Sequence, residues 1–138
     1  MELKDWLNRG YDIYKKLSVK RAHLDSLNSA ISNYGIKEVN TDRTANNTEY
    51  VMIRYSELQS ECDTLAGKLK KIDRETEAVI SKLKNVSEYL VLYARYIQRL
   101  SWEDISQELH YSKQHTFKKH RDALDHLDRV TCYRDWEV

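Results

Sequence analysis

An apolar repeat in the middle of the chain most strongly limits what the chain can fold into. From Val51 to Leu83, apolar or small side chains recur in alternating steps of four and three residues without a slip. That spacing puts one narrow stripe on one side of an α-helix and does not fit the two-residue period of a β-strand. Charged residues dominate outside the stripe, which is typical of a coiled coil or helical hairpin. Its members are Val51, Tyr55, Leu58, Cys62, Leu65, Leu69, Ile72, Thr76, Val79 and Leu83.

A similar stripe precedes it over residues 3–34 and is interrupted only by Gly10 and Lys20. Gly35 then suits a helix C-terminus, because glycine adopts the left-handed conformation cheaply. The polar segment that follows is rich in Asn and Thr, so we predict a loop over about residues 35–49. Residues 1–85 are therefore expected to form a long helical hairpin or coiled coil that serves oligomerisation. The preceding stripe comprises Leu3, Trp6, Ile13, Leu17, Leu24, Leu27, Ile31 and Tyr34.

Composition favours an all-α protein. The chain has 138 residues, no proline, three glycines and 33% charged residues, so little interrupts a helix. The net charge of +1 says nothing by itself about a nucleic-acid partner. No run is long and apolar enough for a membrane span, and the N-terminus lacks a signal-peptide core, so we expect a cytoplasmic protein without a membrane partner. Cys62 and Cys132 are too few for a disulfide framework or a zinc site.

A helix-turn-helix pattern follows a predicted domain boundary near residue 85. Asn85 breaks the stripe, and Ser87 is a plausible cap for a more apolar helix. Ser101 caps a short amphipathic helix, with an acidic residue three positions later. Ser112 is the next expected N-cap, for a helix from Lys113 to about Val130. Two helices joined by about three residues predict a C-terminal helix-turn-helix domain over residues 86–138, with the second helix able to enter a DNA major groove.

The first half of this last helix is basic and contains no acid. The second half carries Asp122, Asp125 and Asp128, an order opposite to the one that the helix dipole prefers. Such a local cost indicates a functional reason for the basic start, so we expect contact with DNA. Gln114 and Lys113 suit base edges. The other expected DNA-binding residues are Ser112, His115, and the phosphate-contacting Lys118, Lys119, Arg121 and Arg99.

The C-terminal region resembles phage transcriptional regulators of the ArpU/RinA type, whose C-terminal part is similar to region 4 of bacterial sigma factors. The resemblance covers roughly residues 86–128 and is carried by a Trp-Glu pair, a Tyr-Ser pair and a His-x-x-Ala-Leu motif. The matching residues are Leu92, Tyr93, Arg95, Tyr96, Ser101, Trp102, Ile105, Leu109, Tyr111, Ser112, His120, Ala123, Leu124 and Leu127.

This resemblance implies a prophage or phage regulator of late or packaging genes that acts with host RNA polymerase in a bacterial cell. The chain departs from the family at Thr116 and Lys119, where the family usually has apolar residues. We therefore expect Phe117 to take over part of the inward face together with His120, Leu124 and Leu127, which would rotate the helix slightly.

Other residues favour structural roles. His120 faces inward by its spacing and is predicted to be a hydrogen-bonded core residue, and Trp102 and Cys62 are predicted to pack in the interior. We expect the aromatic tail residues Tyr133 and Trp136 to pack against the bundle or to contact a partner. No glycine-rich phosphate loop, metal-ligand spacing or nucleophile pair is present, so neither enzyme activity nor a cofactor is expected.

Three functions remain open from the sequence. The first is a homodimeric DNA-binding regulator that places two helices on neighbouring half-sites. The second is a DNA-packaging protein similar to a small terminase subunit, in which class the DNA-binding element commonly comes first in the chain. The third is a helical adaptor that binds protein and no DNA.

Overall fold

A computed structural model describes residues 2–34 and 42–131, with side chains described outside residues 33–48. Within these ranges the chain forms helices and turns without a β-strand, which confirms the predicted all-α class. The helices are α1 (Leu3–Leu7), α2 (Tyr11–Tyr34), α3 (Asp42–Ile80), α4 (Val86–Leu92), α5 (Trp102–Leu109) and α6 (Lys113–Thr131), and a π-helical turn, Tyr93–Ile97, follows α4.

Contacts divide the chain into two compact units, residues 12–69 and residues 1–11 together with 70–138. This division differs from the boundary expected near residue 85. The reason is that Leu3 and Leu7 of α1 and Ile80 of α3 belong to the same apolar core as Leu127 of α6. Helical periodicity shows which face of α1 is buried, but it does not show which helices cover that face.

In the unit formed by residues 12–69, α2 and α3 contact each other within one chain. Leu17 of α2 and Leu58 and Cys62 of α3 are buried, as their stripe positions predict. The Lys20 ammonium donates a 2.6 Å hydrogen bond to Glu61 Oε2 across the two helices. That hydrogen bond and the charge of Lys20 hold the pKa of the Glu61 carboxyl below its usual value.

The burial predicted for the stripe is confirmed, since each member from Val51 to Leu83 is buried or half-buried, although α3 ends at Ile80 and Leu83 follows it. The predicted loop over residues 35–49 is wrong in its extent, because α3 already begins at Asp42. Asn and Thr have only a weak preference against a helix, so their presence does not define where the helix begins. The proposed cap at Gly35 lies outside the described residues.

Two helix boundaries also differ from the prediction. Residues 3–34 do not form one helix, because a turn at residues 8–10 separates α1 from α2. The Arg9 guanidinium in this turn donates to the Trp6 carbonyl at 2.9 Å and to Thr76 Oγ1 at 3.0 Å. The cap of α4 is Asn85 rather than Ser87, since the Asn85 side chain accepts a hydrogen bond from the Glu88 amide at 3.2 Å.

The unit that contains α6 has one continuous apolar core. Helix α6 packs against α1, α4 and α5, so it is supported from three directions. Leu92, Ile105 and Leu127 are completely buried there. Burial of such side chains contributes roughly 1.5–3 kcal/mol each, so these helices hold α6 in a fixed orientation. The core cluster comprises Leu3, Leu7, Ile80, Leu83, Leu92, Tyr96, Ala123 and Leu127.

Candidate nucleic-acid interface

Helices α5 and α6 are joined by a three-residue turn with well-defined caps. Ser101 Oγ accepts from the Asp104 amide at 3.1 Å, and Ser112 Oγ accepts from the His115 amide at 3.1 Å. Both serines thus have the capping role that the sequence predicts. His110 ends α5 in the left-handed conformation, with φ of 59°. The two helices therefore begin and end at defined residues, and α6 starts at the expected Lys113.

A buried pair of hydroxyl groups determines which face of α6 points inward. Thr116 is fully buried, and its Oγ1 lies 2.9 Å from Ser106 Oγ on α5. The Thr116 hydroxyl also donates to the carbonyl of Ser112 at 3.0 Å. A polar residue is tolerated at this inward position because its hydrogen-bonding groups are satisfied.

The prediction that Phe117 takes over the inward face is therefore wrong. Phe117 is 47% exposed, whereas Thr116, His120, Ala123 and Leu127 are buried. The slight rotation of α6 expected from the sequence is therefore absent. Thr116 keeps the inward position, with a hydroxyl in place of an apolar group. Leu124 is half-buried and packs against the core, as expected.

Trp102 connects three elements of this region. Its ring contacts Phe117 and His120 of α6, with ring centroids 5.0 Å and 4.7 Å away. The Arg95 guanidinium lies over the same ring at 4.4 Å, and it also donates to the Leu100 carbonyl at 3.0 Å. Trp102 is half-buried and packs between α6 and the π-helical turn, in agreement with the predicted packing role.

His120 is the hydrogen-bonded core residue that its spacing predicts. Its Nε2 lies 2.7 Å from the hydroxyl of Tyr96, in the π-helical turn. Burial, reinforced by the charges of Lys4 and Arg95, lowers the pKa of His120 to about 4. Burial likewise raises the pKa of Tyr96 to about 12. Both groups are therefore neutral at pH 7, and their role is structural.

The outward face of α6 carries most of the predicted DNA-binding residues. Gln114, Lys118 and Arg121 are exposed and lie on the side away from Thr116 and His120, and Lys113 is exposed in the first turn. Ser112 and His115 are also exposed, and the ring of His115 lies edge-to-face against Tyr111 at 4.5 Å. Lys119 is half-buried on the flank of the helix. These residues occupy the part of the helix circumference left outside Thr116 and His120, and we call the set the basic face: Ser112, Lys113, Gln114, His115, Lys118, Lys119 and Arg121.

Arg99 lies apart from this group. Its side chain is only 7% exposed, and its guanidinium forms an ion pair with Asp73 at 2.9 Å. It also donates to the Ile97 carbonyl at 2.8 Å, and its backbone has a φ of 57°. The Arg99 guanidinium is therefore poorly placed to contact a phosphate group, contrary to the expectation from the sequence.

The second half of α6 makes contacts that sequence reasoning missed. His126 Nδ1 lies 2.8 Å and 2.9 Å from the two carboxylate oxygens of Glu88, a residue that is otherwise buried. Asp125 forms an i,i+4 ion pair with Arg129 at 3.1 Å. The sequence feature that could have indicated this pair is Glu88, an acidic residue inside the apolar helix α4. Part of the acidic half thus has a structural explanation.

Within residues 2–34 and 42–131, no group of His, Cys, Asp and Glu side chains could hold a metal ion. In the same residues, no helix has the length and apolar character needed to cross a bilayer. Cys62 is a buried free thiol, as predicted. Cys132 and the tail residues Tyr133 and Trp136 lie outside the described residues.

Comparisons with known proteins gave no further guide. No protein-family model, no curated protein and no solved structure matched the chain.

Proposed function

We propose that this protein is a sequence-specific DNA-binding regulator of phage or prophage transcription, in which α5 and α6 act as a helix-turn-helix. The observation that carries the proposal is the basic face of α6, which contains no acid between Ser112 and Arg121. Its N-terminal position matters, because recognition helices contact base edges mainly through their first turns.

Three features of the molecule support this proposal. The opposite face of α6 is held by the Ser106–Thr116 hydroxyl pair and by the edge-to-face contact of Trp102 with His120, so the basic side chains project from a helix that is fixed against its neighbours. The N-terminus of α6 adds the positive end of a helix dipole to the same surface. The three-residue turn leaves the start of α6 exposed on the side away from α5.

The side chains of the basic face divide by chemistry. Lys118 and Arg121 are suited to phosphate oxygens, which set the position of a protein on DNA without carrying sequence information. Gln114 can form two hydrogen bonds with adenine, and Lys113 can donate to guanine. A homodimer formed through the long helices α2 and α3 would bring two α6 helices to half-sites about one helical turn apart.

The salt dependence of DNA binding tests this proposal. Affinity for a fluorescent duplex should fall steeply with salt, and Lys118→Ala and Arg121→Ala should each reduce the slope of log K against log salt by about 0.9. Lys84→Ala is the matched control, because Lys84 is an exposed cation that lines a groove with Arg129 at the far end of α6. Equal slopes for all four proteins would contradict the proposal.

A second candidate function, protein interaction, is favoured by a groove between α2 and α3. The groove has a volume of about 460 Å³, and basic side chains surround Val19 and Leu58. Val19 is strongly exposed there. Failure to bind any duplex at low salt, together with tight binding of a protein partner that Val19→Asp abolishes, would select this function instead. The basic groove residues are Lys15, Lys16, Lys20, His23 and Arg54.

A further inference from the structure

Phe117 is an exposed aromatic side chain in the middle of the basic face. Nearly half of the residue is exposed, although its neighbour Trp102 is available as an apolar surface. It follows Lys113 by four residues and precedes Arg121 by four, so these three side chains form one row along the helix. The sequence pattern had assigned Phe117 to the interior, and the burial of Thr116 removes that explanation.

The contact with Trp102 restricts the Phe117 ring without covering it. The ring centroids are 5.0 Å apart and the planes are inclined at 59°, so Trp102 covers only part of the aromatic surface. Trp102 is itself held by Arg95 and His120. An apolar group on a fixed support is well suited to contact another apolar group, since little conformational entropy is lost on binding.

We propose that Phe117 recognises the 5-methyl group of a thymine in the major groove, an inference that rests on the proposed DNA-binding function. Of the four bases, thymine is the one that presents a methyl group in the major groove, and phenylalanine is one of the side chains that contact this group. The flanking Lys113 and Arg121 provide the cations that would hold the DNA backbone or neighbouring bases around this contact. Phe117 is then a specificity-determining residue rather than a core residue.

A purely structural role for Phe117 makes a different prediction. If the ring only covers Trp102, then Phe117→Ala lowers stability and weakens binding to all duplexes by the same factor. A thymine contact instead makes the effect of Phe117 depend on one methyl group in the DNA. Removing that methyl group from the DNA separates the two roles without altering the protein.

The test uses the full-length protein and the duplex motif enriched by selection from a random pool. Each thymine of the motif is replaced singly by deoxyuridine, which removes the methyl group and keeps every hydrogen-bonding atom. We expect one position in each half-site at which the wild-type protein loses about fourfold in affinity, the factor for one lost methyl contact. For Phe117→Ala, the thymine and deoxyuridine duplexes should bind equally at that position.

Two further variants keep the test decisive. Phe117→Leu preserves an apolar contact with Trp102 and should retain part of the discrimination even if Phe117→Ala folds poorly. Val130→Ala removes another exposed apolar side chain, at the far end of α6, and should leave the fourfold effect unchanged. Urea unfolding of each variant confirms that folded proteins are compared.

Different results would contradict the role of Phe117 and the proposed DNA-binding function. A selected motif with no deoxyuridine-sensitive position, or an effect that persists fully in Phe117→Ala, overturns the role of Phe117 alone. The absence of any duplex binding overturns both proposals.

Discussion

Ser106 and Thr116 place their hydroxyl oxygens 2.9 Å apart in the interior between α5 and α6. Each hydroxyl is also within 3.0 Å of a carbonyl four residues earlier in the chain, that of Trp102 or Ser112. The two hydroxyl groups have only two protons between them for these three oxygen–oxygen contacts. This small polar cluster fixes the rotation of α6 about its axis, and with it the side chains that face the solvent.

Replacing Thr116 by Val should lower the free energy of unfolding by about 1 kcal/mol, because one hydroxyl is lost and Ser106 keeps the Trp102 carbonyl as partner. The double variant Ser106→Ala/Thr116→Val should lose less than the sum of the single variants, since the shared hydrogen bond is removed once. Urea unfolding measures all three. Thr64→Val is the control, as Thr64 is exposed and bonds only within its own helix at Ser60. Strict additivity would contradict a direct Ser106–Thr116 bond.

The Tyr96–His120 pair should make stability sensitive to pH on the acid side. The pKa of His120 is lowered to about 4 in the folded protein, whereas an unfolded histidine titrates near 6.5. Between these values the unfolded chain binds more protons, so stability is complete above about pH 6.5 and falls as pH drops towards 4. After allowance for solvent screening, the loss is on the order of 2 kcal/mol.

His120→Gln provides the comparison for this prediction, because Gln can still hydrogen-bond with Tyr96 and does not titrate. The difference in unfolding free energy between the wild type and this variant should change between pH 7 and pH 4.5. The carboxylates titrate in both proteins, so their effect on the free energy of unfolding cancels in that difference. A difference independent of pH would contradict the buried, neutral state of His120.

The ion pairs of Arg99 and Arg9 should differ in strength because their burial differs. The side chains of Arg99 and Asp73 are 7% and 26% exposed, whereas those of Arg9 and Glu75 are 21% and 51% exposed, at almost the same distance. Asp73→Asn should cost about 2–3 kcal/mol, since it leaves a buried charge without its partner. Glu75→Gln should cost less than about 1 kcal/mol. Thermal or urea unfolding of the two variants tests this order, and equal losses would contradict it.

Gln114→Ala should reduce discrimination between DNA sequences more than it reduces affinity for DNA in general. The amide of Gln114 can pair with two atoms of adenine, and such a pair discriminates by about 1–3 kcal/mol. Affinities for the selected duplex and for random duplex should therefore converge in this variant. Equal losses on both duplexes would show that Gln114 does not contact a base.

The sequence predicted the stripes, the caps at Ser101 and Ser112 and the inward position of His120, because each depends on residues close together in the chain. It did not predict the docking of α1, the Asp73–Arg99 pair or the Glu88–His126 pair. The two pairs join residues 26 and 38 positions apart, and α1 contacts residues still further along the chain, so nothing in the local pattern selects the partner.

The choice between Thr116 and Phe117 shows the same limit within the candidate interface. Apolar periodicity favours Phe117 as the inward residue, since it weighs hydrophobicity alone. The structure buries Thr116 because Ser106 satisfies its hydroxyl, and it leaves Phe117 on the rim of Trp102. Lys113, Gln114, Lys118 and Arg121 are exposed, as expected for polar residues outside the apolar stripe, whereas Lys119 is half-buried.

Selection from a pool of randomised duplexes at two salt concentrations shows whether the basic face of α6 binds specific DNA. We expect enrichment of one defined motif at both concentrations, with two-fold symmetry if the protein acts as a dimer. Salt-sensitive binding without a motif would contradict sequence specificity and favour a DNA-packaging role. No binding at either concentration would contradict DNA binding by this protein altogether.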